Sequence, residues 1–417
     1  MAGSVWDEVL DTEHAVVVRT YIEHWPRRDR APEKVLIIVV EPDEQTRYRC
    51  PECGQRGRPV ETDVVRWRTL DVHGKRAFLE SGLPRIVCGQ HGKITAAVPW
   101  ARHDDRFSRP FEEFAAWKAA HMPWTRAAAE LRITWEALAN VTARVAAQAA
   151  AGLDRLDGLR RIGIDKKSWG KGGGKYLVIV TDHDAGRVAW IGEGRCQATV
   201  EAFFGALGEE RAGLLTHVSA DGADWIHPVV REKAPQAEIC LDAFHVVKWA
   251  NERLDELRRR IAGELRAAGR GDEAATLGGG MWALRKDQHK LTPGQRGALA
   301  QIAVTNKPLY KGYLLKEQIR EAFKVKGDEG KSLMRGVTAW AHRCRTPELT
   351  RLARTLSRYK DAIHNTLGGG PSNGRAEALN AQVNALITRA RGFRTAAALT
   401  AMIDFVHGGL CPESPYA

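Results

Sequence analysis

Three acidic side chains stand where the sequence pattern lets them meet. Glu377 lies in SNGRAEALNAQVNALITRARGFRT, running from Ser372 to Thr395 and otherwise rich in Arg, Asn and Ala. Wound as a helix at about 100° per residue, this stretch puts Glu377, Asn380 and Asn384 on one side. Ala376, Leu379, Val383 and Leu386 fall on the other. The carboxylate then points away from the apolar stripe, into surroundings made basic by Arg375, Arg389, Arg391 and Arg394. By itself such a Glu reads as a salt-bridged surface residue. Asp165 in RIGIDKKSW and Asp221 in THVSADGADW change that reading, because each ends a short run that reads as a strand. Three carboxylates on one spot repel unless cations neutralise them. Their hard oxygens suit Mg²⁺ or Mn²⁺, and two such ions would clamp the attacking and leaving oxygens of an in-line phosphoryl displacement. A lone Asp at a strand end is more often a turn residue, but the ordered set is far more specific.

The elements that must position these groups follow from local patterning. The run ending at Asp165, YLVIV (176–180) and RVAWI (187–191) are joined by turn-rich segments and predict a three-stranded antiparallel meander. A helix over Gln197 to Leu207 leads to a fourth strand, THVSA, ending at Asp221. A further helix from about Ala223 to Lys233 leads to a fifth strand, EICLD, ending at Asp242. Three antiparallel strands followed by alternating helices and strands are the ribonuclease H-like α/β arrangement. There the first and fourth strands are neighbours, Asp165 and Asp221 lie side by side, and a later helix carrying Glu377 closes the site.

The sequence resembles bacterial insertion-sequence transposases of the ISL-three family, DDE enzymes with a ribonuclease H-like catalytic core. The matching segments are GIDKKSW, KYLVIVTDHDAGRV with GEGR after it, SADGADW, LDAFHVVKWANERLDELRR, NKPLYKGYLLKEQIREAF and the Glu377 stretch. The resemblance runs from about Tyr48 to the end. It implies that Asp165, Asp221 and Glu377 form the metal-binding triad. DAFH resembles the Asp-x-x-His element of related transposases, which implies a supporting role for Asp242 and His245. Trp282 is similar to aromatic residues that related enzymes place near a flipped base or an element end, although a Trp is more often core.

The second constellation is Cys50-Pro51-Glu52-Cys53, answered by Cys88-Gly89-Gln90-His91. Two pairs, each with two intervening residues, suit a structural Zn²⁺. VVRWRTLDV and RAFLESGLPRIV are expected strands between them. Many relatives end the second pair in Cys, whereas this chain has His91, which Zn²⁺ accepts. Cys196, Cys240, Cys344 and Cys411 show no such pairing. Beyond them FEEFAAWKAAHM predicts one helix, and TRAAAELRI with TWEALANVTARVAAQAA predicts two more joined by a short turn, with Thr134 as a cap. The last two are shaped like a helix-turn-helix whose second helix fits a major groove, and Arg126, Arg132 and Arg144 flank them.

At 417 residues, 44% hydrophobic and with a net charge of +12, the chain is expected to pack several modules and to favour a polyanionic partner. No apolar run is long enough to span a membrane, no secretory leader pattern is present, and seven thinly spread cysteines argue against a disulfide framework. The expected location is therefore the bacterial cytoplasm, in association with the nucleoid. The expected modules are an N-terminal region to 105 with the zinc module at about 48–100, and a helix-turn-helix region at 106–155. The core follows in two parts, 156–243 and 366–417, separated by an all-α insertion at 244–365 that grips DNA or braces a second subunit. SWGKGGGKY reads as a basic hairpin loop, and His103, His183 and His227 read as surface or turn residues. Asn373 or Ser372 is placed to cap the Glu377 helix.

The reading that results is a transposase that binds its element's terminal inverted repeats as double-stranded DNA, cuts there and joins the freed 3′ ends to a target, acting as a homodimer or larger assembly. Lys166, Lys167, Arg195, Arg375, Arg389 and Arg391 are expected to hold phosphates. The alternatives are an inactive, repurposed DNA-binding descendant and a ribonuclease H-like nuclease acting on structured nucleic acid.

Overall fold

Runs of strands and runs of helices follow one another along the chain and gather into two compact units. The computed structural model describes residues 14–28, 31–170, 174–372, 374–390 and 392–414. The first unit holds residues up to Gly152, together with 404–406 and the segment from Leu410 on. The second holds Leu153–Ile403 and His407–Gly409.

In the first unit, β1 (Ala15–Trp25), β2 (Glu33–Pro42), β3 (Arg58–Val72), β4 (Lys75–Cys88) and β5 (Gly92–Thr95) form one mixed sheet. β4 sits inside it, antiparallel to β3 and β5 and parallel to β2. The two strands expected between the cysteine pairs are β3 and β4, and β1 and β2 are added before them. His73 and Gly74 turn the β3–β4 hairpin with φ of 46° and 73°. Two left-handed residues match the twist of the strands they join. Leu36, Ile38, Trp67, Ala77, Leu79 and Trp100 pack beneath the sheet.

Three helices follow, α1 (Arg109–His121), α2 (Trp124–Leu131) and α3 (Trp135–Ala151). Ser108 caps α1, and the Thr134 hydroxyl accepts from Ala137 N to cap α3. Arg132 ends α2 in the left-handed region at φ 57°, which lets the chain turn sharply into α3. The flanking arginines are ion-paired within the unit: Arg126 to Glu130, Arg132 to Asp71 and Glu33, and Arg144 to Asp105 and the fully buried Glu112.

The second unit is built on the sheet order β10-β9-β6-β7-β8. β6 (Arg161–Ser168), β7 (Tyr176–Asp182) and β8 (Arg187–Glu193) are antiparallel, while β9 (His217–Ala220) and β10 (Glu238–Leu241) add in parallel on the other side of β6. Helix α4 (Gln197–Leu207) has the expected bounds, and the short α5 (Glu209–Ala212) follows it. Helix α6 (His227–Lys233) starts four residues later than expected, because Asp221 first folds a turn onto Ala223 N and Pro228 sits in the first helical turn.

From Asp242 the chain becomes helical: α7 (Ala243–Ala267), α8 (Gly271–Gly279), α9 (Met281–Arg285), α10 (Pro293–Thr305), α11 (Lys307–Val325), α12 (Gly327–Arg343), α13 (Pro347–Arg358) and α14 (Lys360–Leu367). Leu254, Leu257, Leu315, Ile319, Val337 and Leu352 join the same apolar core as the strand residues Ile162, Val180 and Val218. Removing such side chains from water contributes about 1.5–3 kcal/mol each. α14 is fastened along β10, where Thr366 Oγ1 donates to Leu241 O at 2.8 Å and Asn365 Nδ2 to Ile239 O at 3.1 Å. Helix α15 (Gly374–Arg389) buries Ala376, Leu379, Val383 and Leu386, the stripe expected from its periodicity, and α16 (Ala396–His407) follows. Asn373, one of the two expected caps of α15, lies outside the described residues, as does Arg391. Among the described residues no helix is long and apolar enough to cross a membrane.

Candidate active site

Asp165 does not end its strand. The antiparallel ladder to β7 carries β6 on to Ser168, with Asp165 opposite Ile179. The parallel ladder to β9 does stop there, at Ile164 opposite Ala220. The next residues on these neighbouring strands, Asp165 and Asp221, therefore lie side by side. Close packing behind them depends on Gly163, where a Cβ would stand 2.9 Å from His183 Nε2 and 3.1 Å from Ser219 Oγ. A second close approach is at Gly222, where a Cβ would stand 2.4 Å from the Trp249 ring.

Each carboxylate has a distinct setting. Asp221 is 4% exposed; its Oδ1 accepts from Ala223 N at 3.0 Å, and its Oδ2 lies 2.8 Å from Lys166 Nζ. Burial raises the Asp165 carboxyl above its ordinary range, with the Asp221 charge adding to the rise. Asn380 of α15 donates to Asp165 Oδ2, which ties the Glu377 helix to β6. Asp242 directly follows β10, which stops at Leu241, and occupies the cap position of α7, yet its side chain caps nothing among the described residues. Its Oδ2 is buried without a hydrogen bond there, 3.5 Å from His245 Nδ1, an ion-pair distance rather than a hydrogen bond. Burial opposes charge on His245, but Asp242 and the further negative charges of Asp221 and Asp165 outweigh it and favour the imidazolium.

Glu377 is pushed up to about 7, by burial first and then by Asp242 and Asp165. Clustered carboxyls that raise one another's affinity for the proton are a set whose charge a cation would neutralise. The donors are hard oxygens, as Mg²⁺ and Mn²⁺ require.

The residues around the cluster take several roles. Arg375 donates to the backbone oxygen of His183, and Arg195 stacks 4.4 Å from the centre of the Tyr176 ring. Burial lowers the Lys167 ammonium below its ordinary range. Arg389 is exposed near the end of α15. Trp282 is 57% exposed on α9. His183 does sit in the β7–β8 turn, as expected, but is only 4% exposed, and His227 is overturned as a surface or turn residue, being 4% exposed at the start of α6. His183 Nε2 lies 2.7 Å from Ser219 Oγ, and His227 Nε2 donates to the Asp221 backbone oxygen at 2.9 Å. The pattern hid them because their burial comes from neighbouring strands and helices, not from their own segments. Asn380 had one visible signal, its place three residues after Glu377 on the same face.

In the first unit, Cys50, Cys53, Cys88 and His91 bring their ligand atoms to within 4.8 Å of one another. The Cys53–Cys88 sulfur separation is 3.6 Å, and His91 Nδ1 lies 3.6 Å and 3.8 Å from the Cys50 and Cys88 sulfurs. Tetrahedral Zn–S bonds of about 2.3 Å place sulfurs about 3.8 Å apart, so the four fit a structural Zn²⁺. Backbone N–H groups of Gln90 and His91, with the His91 ring, draw the Cys88 thiol down to about 6, towards the thiolate that ligation needs.

With that geometry in place, comparison with known proteins defines the class: a family model of DDE transposases, described as transposase, matches residues 162–403. The helix-turn-helix domain of transposase family ISL3 matches residues 96–146, and the zinc-finger of transposases IS204/IS1001/IS1096/IS1165 matches residues 46–91. The chain belongs to the ISL3 family of insertion-sequence transposases. It is 39% identical over 420 residues to the transposase for insertion sequence element IS1557 of Mycobacterium tuberculosis, covering 95% of this chain and 94% of that one. It is 26% identical over 301 residues to the transposase for insertion sequence element IS1001 of Bordetella parapertussis, covering 71% and 72%. The protein is thus a DNA transposase with a zinc ribbon, a helix-turn-helix module and a catalytic unit of mixed sheet and helices that requires a divalent metal.

Proposed function

We propose that this transposase binds the terminal inverted repeats of its own element, cleaves the DNA there and joins the freed 3′ ends to a target through a ribonuclease H-like core. The observation that carries the reading is the pairing of Ile164 with Ala220, which sets Asp165 beside Asp221 while Asn380 draws the Glu377 helix to the same strand. Asp165, Asp221 and Glu377 are the residues we assign to Mg²⁺ or Mn²⁺. Two such ions, when bound, stabilise the attacking and leaving oxygens of the displacement.

The chain's own groups prepare that site. Asn380 orients Asp165, Lys166 neutralises Asp221, and His227 fixes the backbone behind it. Asp242 and His245 support Glu377 from the start of α7. Lys166, Lys167, Arg195, Arg375, Arg389 and Arg391 are assigned to DNA phosphates, and Trp282 to the DNA end. We further assign 244–365 as an inserted all-α domain between the two parts of the core. The working form is a homodimer or larger assembly in the bacterial cytoplasm, associated with the nucleoid, since two ends must be cut together.

An excision assay in cells tests the reading, with the DNA flanking the gene placed around a marker. Wild-type protein is expected to release the marker and Asp221→Asn to fail; release by Asp221→Asn at the wild-type rate would end the proposal.

A further inference from the structure

A groove of about 620 Å³ opens directly beyond Asp242. One wall is the first turns of α7, with Phe244 and Lys248; the other is formed by Arg285 and by Arg320, Phe323 and Lys324 of α11. Its size falls in the range of about 300–1,000 Å³ typical of small-molecule pockets.

Three features of its walls are unusual together. Phe244 is 59% exposed although it follows Asp242 by only two residues, and its ring meets that of His245 edge-on at 5.7 Å. An open aromatic face beside a charged cluster offers a stacking surface to a planar group. Second, the lining carries Lys248, Arg285, Arg320 and Lys324 against only Glu252 and Asp287. Third, Arg285 and Arg320 stand together in the wall with their carboxylate partners at arm's length, Arg285 3.3 Å from Asp255, and Arg320 3.6 Å from Glu317 and 4.0 Å from Asp287. A lining with more cations than carboxylates favours an anion, and two aromatic rings favour a flat apolar face.

One chemical group offers both, a nucleotide whose base is unpaired. In a duplex the base faces are stacked away, so only a nucleotide out of the helix can reach Phe244 and Phe323. We infer that this groove holds an unpaired nucleotide adjoining the phosphate to be cut, its base against Phe244 and Phe323 and its phosphate on Arg285 and Arg320. The inference rests on the phosphodiester-cutting role proposed for the neighbouring carboxylates. Trp282, on the same helix as Arg285, does not line the groove.

The test uses the full chain without added Mg²⁺ or Mn²⁺, so that binding is read without cutting while the structural zinc stays in place. Two fluorescein-labelled probes from the gene's flanking DNA are compared by anisotropy, one fully paired and one with a single-stranded end. Wild type is expected to bind the extended probe about tenfold more tightly, as stacking of one base supports. Phe244→Ala and Phe323→Ala should each erase most of that preference while binding the paired probe normally, and Phe244→Trp should keep it. Equal binding of both probes by wild type, or a preference untouched in both alanine variants, overturns the inference. Asp221-dependent excision together with equal probe binding leaves the catalytic reading standing and removes the groove. A Phe244-dependent preference without Asp221-dependent excision supports the groove and removes the catalytic reading.

Discussion

Cys50, Cys53, Cys88 and His91 meet around the ends of one hairpin arrangement, whereas Asp165, Asp221, Asp242 and Glu377 are delivered by β6, the ends of β9 and β10, and α15. The first set arrives with its ligand atoms within 4.8 Å of one another. The second set arrives with its charges already answered by protein groups: Lys166 on Asp221, His245 by Asp242 and Asn380 on Asp165. On the roles proposed above, the difference is between a metal that holds a fold and a metal that must come and go with a substrate. A knuckle made by two tight turns has nothing else to do with its thiolates. A carboxylate cluster that works on DNA needs counter-charges that release it.

The largest effect expected on this contrast is from Asp221→Asn. It should lower strand cleavage by about a thousandfold or more, since a lost ligand removes several kcal/mol of transition-state stabilisation. Binding of end DNA in a gel shift should stay within about twofold, because the recognition modules belong to the other unit. A variant that cleaves at even a tenth of the wild-type rate would show that this carboxylate is not a ligand.

Cys88→Ser should come next, with the opposite signature. It should strip the zinc, measured by metal analysis of purified protein, and weaken end-DNA binding by about tenfold or more. Structural zinc contributes its binding free energy to folding, so the early part of the melting curve should broaden or split. Zinc retained at full stoichiometry would sink the comparison.

A third test separates the carboxylates by pH. Glu377 is raised to about 7 from an ordinary 4.5, so the folded state holds its proton more tightly than the unfolded state. Its contribution to stability is therefore present below the ordinary value and is lost as pH rises through about 7. A divalent ion takes the ionised form, so Mn²⁺ affinity should rise about tenfold per pH unit up to that point and flatten above it, with proton release on binding. Titration calorimetry in two buffers of different ionisation enthalpy measures that release. Asp242→Asn removes the nearest acidic neighbour and should move the break to lower pH. If affinity instead falls equally at every pH, Asp242 is itself a ligand and not a supporting group.

The two sites also differ in how they were written in the chain. The cysteine pairs are visible because both ligands of a pair must lie three residues apart, a local constraint that leaves a local spelling. The Glu377 face was legible for the same reason, since a helix repeats its apolar stripe whatever it packs on. Asp165 and Asp221 could be set side by side only through the expected strand order, and the register between Ile164 and Ala220 is a property of the sheet. His183 and His227 left no local mark of their burial, because it comes from other elements. Strand β6 outran its expected end because alternation fades at Asp165 while the ladder to β7 continues. The sheet formed by β1 and β2 before the cysteines was likewise invisible to a reading that began from motifs.

The smallest effect belongs to His91→Cys, and it is the sharpest check on what a preformed site tolerates. Zinc accepts thiolate and imidazole alike, and its bonds to sulfur are longer than those to nitrogen by about 0.2–0.3 Å. That difference partly offsets the shorter reach of a cysteine side chain from the same backbone position. The Gln90 and His91 backbone N–H groups that favour the Cys88 thiolate stay where they are, because they do not depend on the side chain at 91. Zinc content should therefore remain complete, and the melting temperature should shift by no more than a few degrees, equivalent to about 1 kcal/mol. The matching swap in the acidic cluster, Glu377→Asp, shortens a side chain whose carboxyl has no fixed turn behind it, and it should cost at least a hundredfold more in excision than His91→Cys does. Equal losses from the two swaps would mean that the knuckle is as exacting as the catalytic cluster, and that its ligands are held by the metal rather than by the hairpin.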